Sequence, residues 1–322
     1  MPGFALLFPG QGSQHVGMGR DLYEASPAAR AVLNGDGCAG LSRLMFEGPA
    51  DTLTDTANAQ PALLVASLAC WAALQEALAG RLQAPPAFVA GHSMGEYTAL
   101  AVAGALSTPA ALRLVQARGQ AMKAAGDAQP GGMAAILGLD AQTVAALCDQ
   151  ARAETSAPVV VANDNAPGQV VISGAQAAVQ AATELARAAG ARRVVPLAVS
   201  IAAHSPLMEL AAERFRPALR QAELRPAAVP VVGNVSARPL VAAEDLIAEL
   251  DAQLTSPVRW TDSVRYMVEQ GVSVFVEVGP KDVLTGLVRR IAPQATCVAC
   301  GTVEGVQQAA RVLAPAEGQP WT

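Results

Sequence analysis

Short, wholly apolar blocks along this chain are separated by longer stretches with helical periodicity. Residues 4–8, FALLF, predict a buried strand that ends in the turn PGQGSQ. Residues 60–79, QPALLVASLACWAALQEALA, are apolar all round, as in a helix buried inside a domain. PAFVAG, at 86–91, predicts a second short buried strand. It breaks at Gly91 and resumes as a helix over MGEYTALAVAGAL, so Ser93 falls on a strand–turn–helix junction.

From Gly131 the pattern changes. GGMAAILGL reads as a strand and DAQTVAALCDQARAE as a helix capped by Asp140. APVVVAND and GQVVISG read as strands joined by the turn NAPG; AQAAVQAATELARAAG is a helix with a glycine stop, and ARRVVPLAV is another strand. The order strand, helix, strand, strand, helix, strand is that of the split-βαβ, ferredoxin-like unit. It predicts a small domain at 128–198, inserted into a larger one formed by 1–127 and 199–322. The larger part then continues with a helix near 205–222, a strand VPVVGNVS, helices near 242–254 and 260–270, a strand VSVFVEVG and a helix KDVLTGLVRRI. Alternating strands and helices predict an α/β fold with a mainly parallel sheet covered on its faces. The Pro/Gly-rich tail from Ala314 is expected to be loose.

Composition narrows this picture. Of 322 residues, 52% are apolar and 15% charged, which suits a packed α/β enzyme and excludes a disordered chain. A net charge of −5 with no basic stripe argues against nucleic acid. An acidic protein partner would need only a local basic patch, for which Lys281, Arg289 and Arg290 are candidates. Gly, Pro and charges interrupt the apolar runs, so no membrane span is expected. The N-terminus reads as a first strand rather than a leader. Five scattered cysteines include Cys297-Val-Ala-Cys300, which without a second pair is expected to be a buried strand rather than a metal or redox site. Reduced thiols predict a cytoplasmic protein.

The candidate chemistry centres on Gly91-His92-Ser93-Met94-Gly95. In a G-x-S-x-G turn, small flanking residues let the serine hydroxyl stand at the sheet edge, and the following helix aims N–H groups at an oxyanion. From this stretch alone a glycine-rich strand–helix join is equally compatible. A nucleophilic serine needs a base, and the chain has three histidines. His92 adjoins Ser93 on a tight turn, where neighbours point apart. His15 sits in a Gly-rich loop. His204 follows a strand and opens a helix, which places it on the rim where Ser93 would also lie, and it is favoured. A third of the chain follows His204, unlike alpha/beta hydrolases, whose His comes late. The first turn has glycines but lacks the P-loop spacing and its Lys; a backbone N–H there could serve as half an oxyanion hole. Arg118 lies on a mostly apolar helix. It has either a carboxylate partner within the protein or a substrate carboxylate to clamp, and spacing does not choose between them.

LFPGQGSQHVGMG, NAQPALL, GHSMGEYTAL, RGQAM, NDNAPGQVVISG, HSPLM, SPVRW and VEVGPKDVLTGL appear in that order. Together they closely resemble the malonyl-CoA:acyl carrier protein transacylases over nearly the whole chain. The resemblance implies a hydrolase-like α/β domain with a ferredoxin-like insertion. It implies Ser93 as acyl acceptor, His204 as its base, and a glutamine or main-chain oxygen, matched by Gln253, steadying the imidazole. It further implies backbone N–H groups of Gln11 and Met94 as the oxyanion hole, Arg118 on the malonyl carboxylate, and Asn163 and Asn165 facing the cleft. Malonyl-CoA and acyl carrier protein are the implied substrates of a monomer needing no cofactor or metal. The implied setting is fatty acid synthesis, with a polyketide or malonate decarboxylase system, or a serine hydrolase, as alternatives. Ala203, before His204, departs from the serine or phenylalanine usual there and widens the expected acyl pocket.

Overall fold

The computed structural model describes residues 3–82, 84–197, 199 and 201–314, so the expected loose tail beyond Ala314 and the last residue of the predicted insertion lie outside the described residues. The chain opens with β1 (Gly3–Phe8), then α1 (Arg20–Ala25), α2 (Pro27–Leu33), α3 (Ala39–Glu47), α4 (Ala50–Thr54) and the long α5 (Thr56–Leu78). β2 (Phe88–Gly91), α6 (Gly95–Val102) and α7 (Thr108–Ala128) follow. Next come β3 (Gly132–Leu137), α8 (Ala141–Thr155), β4 (Val159–Ala166), β5 (Gln169–Gly174), α9 (Gln176–Ala188) and β6 (Arg193–Pro196). The chain then forms α10 (Glu209–Arg220), β7 (Val231–Val232), β8 (Pro239–Leu240), α11 (Ala243–Gln253), α12 (Trp260–Glu269), β9 (Val272–Glu277), α13 (Val283–Ile291), β10 (Thr296–Ala299) and α14 (Val303–Leu313).

The first sheet has the order β10-β9-β1-β2-β7-β8. Its pairs are parallel except β7 with β8. β1 and β2 are continuous apolar runs because both faces are covered there. Leu6, Phe8 and Val89 pack on one side with α5 and α7, while Ala5, Leu7 and Phe275 pack on the other with Trp260 and Val288. β1, β2 and β7 are neighbours, so the loops at their carboxyl ends meet at one edge, where α/β sheets place their sites. β10 carries Cys297, and all five cysteines are free thiols.

The second sheet, β4-β5-β3-β6, is antiparallel and has its own core of Ile136, Val144, Ile172 and Val179. In strand order of the unit this is 2-3-1-4, the ferredoxin-like arrangement that the element sequence predicts. Asp140 caps α8 by accepting from Thr143 N at 2.7 Å. The two units are stitched through β4. Val258 N donates to Ala162 O at 2.8 Å, and Asp164 N donates to Val258 O at 3.0 Å.

Two expectations need correction. Helix α5 is, among the described residues, long and apolar enough to cross a membrane, so the interruptions do not break every such run. Its side chains from Ala59 to Cys70 are instead buried in the core. The strand expected over VPVVGNVS shortens to Val231–Val232, because the chain turns at Gly233 and Asn234. A Cβ at Gly233 would lie 2.5 Å from the Glu249 carboxylate carbon, so a larger residue there would displace that side chain.

Candidate active site

Ser93 stands between β2 and α6 with φ 51°, a left-handed conformation that costs a non-glycine residue on the order of 1–3 kcal/mol. The flanking glycines are required by space. A Cβ on Gly91 would lie 2.0 Å from the Gly95 carbonyl, and one on Gly95 would lie 2.1 Å from Phe8 O. The turn therefore closes on itself and against the end of β1.

Ser93 Oγ lies 2.9 Å from His204 Nε2. His204 also has a positive φ, 59°, and its ring is buried. Its Nδ1 is 2.9 Å from Gln253 O and 3.1 Å from Ser256 O. Both partners are carbonyls and only accept, so Nδ1 carries the proton and Nε2 is left bare to accept from the serine hydroxyl. Burial, and after it the Arg118 charge, push His204 down to about 3, which keeps the imidazole neutral in neutral solution. Gln253 thus supports the imidazole through its main-chain oxygen. Its side chain is used otherwise: Nε2 donates to Ser93 O at 3.1 Å and to Glu96 Oε2.

Arg118, on α7, is among the largest fully buried side chains. It donates to Gln60 Oε1 at 2.8 Å, Gln253 Oε1 at 2.9 Å and Ser93 Oγ at 3.0 Å, and lies 5.4 Å from the Tyr97 ring centroid. Among the described residues it forms no ion pair, and its Nε has no partner. The choice that spacing left open is thereby narrowed: the guanidinium is held by neutral groups and aimed at the nucleophile. Burial lowers its pKa, offset by Tyr97 and Glu96, and an arginine stays charged under such a shift.

Gln11 lies in the turn after β1, and its side chain donates to Thr56 Oγ1 at 3.1 Å. This turn touches the nucleophile loop, since a Cβ on Gly10 would lie 2.4 Å from His92 O. Among the described residues neither the Gln11 nor the Met94 backbone N–H makes a hydrogen bond within the protein. Met94 N is the N-cap group of α6. His92 is half-buried, with Nε2 donating to Asn165 Oδ1 at 2.8 Å and its ring 5.5 Å from that of Trp260. Asn165 is therefore committed to His92. Asn163 sits in β4 at an isolated bridge with Val258 and makes no side-chain hydrogen bond among the described residues. His15 is exposed, its Nδ1 3.4 Å from Ser13 O. Arg290 donates to Pro167 O at 2.7 Å and so joins α13 to the insertion, leaving Arg289 as the freer charge.

Sequence reasoning missed Gln60, Glu96 and Asn234 as members of this network. Gln60 and Glu96 lie inside the motifs NAQPALL and GHSMGEYTAL, and a polar residue kept inside an apolar helix is the feature that points to each. Asn234 was hidden in an expected strand.

The family model of the acyl transferase domain matches residues 5–312. The chain is 43% identical over 316 residues to a malonyl CoA-acyl carrier protein transacylase of Bacillus subtilis, covering 97% of this chain and 98% of that one. Among solved structures it is similar to the malonyl CoA-acyl carrier protein transacylase of Coxiella burnetii, with TM-score 0.92, 38% identity and coverage of 98% and 99%. It is also similar to a malonyl-transacylase in complex with a type II polyketide acyl carrier protein, with TM-score 0.88, 40% identity and coverage of 96% and 99%.

Proposed function

The chain belongs to the acyl transferase domain family, and from that membership we propose that it moves a malonyl group from malonyl-CoA, by way of Ser93, to the phosphopantetheine thiol of acyl carrier protein. The observation that carries the residue roles is the position of Ser93 Oγ between a bare imidazole nitrogen and an unpaired buried guanidinium.

In the first half-reaction Ser93 Oγ gives its proton to His204 Nε2 and attacks the thioester carbonyl carbon. The oxyanion forms against the free N–H groups of Met94 and Gln11. Collapse breaks the C–S bond, and His204 returns the proton to the departing CoA thiol. In the second half-reaction the carrier thiol gives its proton to His204 and attacks the serine ester, and Ser93 leaves with that proton. No carboxylate is needed behind His204, because two carbonyls fix the tautomer.

A thioester is consumed and a thioester is made, so the enzyme must chiefly keep water out. Arg118 reaches Ser93 Oγ, and a malonyl ester at that atom is short enough to bring its carboxylate back to the guanidinium. An acetyl group leaves that charge unmet. The reading includes a cytoplasmic monomer without cofactor or metal, working in fatty acid synthesis. The test is one assay with malonyl-, methylmalonyl- and acetyl-CoA, each with and without holo carrier protein. Malonyl transfer that depends on the carrier is expected, with acetyl transfer far slower. Carrier-independent release of free acid would instead assign a hydrolase.

A further inference from the structure

The nucleophile is held by its own backbone as well as by its hydroxyl, and two side-chain amides do the holding. Asn234 Oδ1 accepts from Ser93 N at 2.6 Å, while Asn234 Nδ2 donates to Gly91 O at 2.7 Å. Gln253 Nε2 donates to Ser93 O at 3.1 Å. All three residues of this clamp other than Ser93 itself, namely Asn234, Gln253 and the Glu96 that joins them, are buried. Glu96 accepts from Asn234 N at 3.3 Å through Oε1 and from Gln253 through Oε2.

The register explains why Asn234 stands there. β2 and β7 pair with Ala90 opposite Val232, so continuation of the ladder would set His92 opposite Asn234. At that point β2 swerves into the serine turn, and the ladder cannot continue through backbone groups. The Asn234 carboxamide, one donor and one acceptor, takes the two groups that the swerve would orphan.

The other face of the clamp governs a different group. Ser93 O and Met94 N belong to one planar peptide, in which C=O and N–H point opposite ways. By fixing Ser93 O, Gln253 fixes the direction of the Met94 N–H.

We infer that Asn234 is a positioning residue of the acyl-transfer site: its carboxamide replaces the missing β2–β7 ladder and, with Gln253 opposite, holds the left-handed Ser93 so that Oγ meets His204 and the Met94 N–H meets the oxyanion. The inference rests on Ser93 being the acyl acceptor.

The test is single-turnover acylation by malonyl-CoA in the wild type, Asn234→Ala and Asn234→Asp, followed by intact mass at several pH values. A wild type that forms no malonyl adduct would refute the functional reading, and with it this one. With the wild type active, Asn234→Ala is expected to acylate roughly a hundredfold more slowly at saturation, with malonyl-CoA half-saturation little changed because Arg118 is intact. Asn234→Asp supplies the decisive readout, including the case in which the alanine variant does not fold. A protonated aspartic acid offers one acceptor to Ser93 N–H and one donor to Gly91 O, as asparagine does; the carboxylate offers no donor. The ratio of this variant's rate to the wild-type rate is expected to rise severalfold from about pH 8 to about pH 5.5. Glu96 on α6, Glu249 on α11, Arg118 on α7, and His92 and His204 face this turn in both enzymes, so a pH dependence that they impose equally on both cancels in the ratio. A pH-independent ratio, or an alanine variant within twofold of the wild-type acylation rate, would overturn the inference.

Discussion

Arg118 does at the scale of one residue what the rest of the site cannot. A buried guanidinium with only neutral partners is costly until an anion arrives. In the proposed reading the malonyl carboxylate supplies it. Arg118→Ala is therefore expected to lower malonyl transfer by roughly two to three orders of magnitude in kcat/KM, and acetyl transfer by much less, measured with the two CoA esters in parallel. Equal losses would make Arg118 a support for Gln60 and Gln253 only. The contact between Ser93 and His204 was legible in the sequence because a pentapeptide marked one and two other histidines could be set aside. It could not say which atom of Gln253 faces the imidazole. Main-chain oxygens leave no trace in residue identity, and the side chain proved to serve Ser93 O and Arg118 instead. Asn165 also read as a cleft residue, but its carbonyl oxygen is taken by His92.

The element that makes the site possible is the junction of β2 with α6. Its two glycines are there for space, because backbone from β1 and from the turn itself lies where a Cβ would go. Gly95→Ala would press a methyl group 2.1 Å from Phe8 O, and neither partner is a flexible side chain. The substitution is expected to destabilise the protein by more than about 3 kcal/mol or to prevent folding, as read by denaturant unfolding. Gly286→Ala is the control. It lies inside α13 with nothing within 4 Å of the added Cβ, and is expected to be neutral or stabilising by up to about 1 kcal/mol. Equal stability of the Gly95→Ala protein would contradict the packing argument. Strands such as β1 and β2 were legible because buried parallel strands are unbroken apolar runs. The short helices α1 to α4 were not, since five to nine residues hold too few turns to establish a period. β7 was overextended because Val235 resumes the apolar pattern beyond Gly233 and Asn234, where the chain turns.

Across the whole molecule, the sheet and the insertion divide the work. Loops from the carboxyl ends of β1, β2 and β7 bring Gln11, Ser93 and Asn234 to one edge. The insertion reaches the same edge through β4, whose Asn165 bonds to His92 and whose backbone pairs with Val258. The order of elements revealed both units, because each has a characteristic alternation. The stitching between them was not visible in the sequence, since Val258 and Asp164 are far apart in the chain and ordinary in type. With a thioester on each side of the reaction, the account stands or falls on a covalent stop at Ser93. The direct measurement is intact-protein and peptide mass spectrometry after mixing with malonyl-CoA. The wild type is expected to gain one malonyl group on the peptide holding Ser93 and to lose it on addition of holo carrier protein faster than in buffer, while Ser93→Ala gains none. An adduct that persists in Ser93→Ala, or a wild-type adduct that only water discharges, would contradict it.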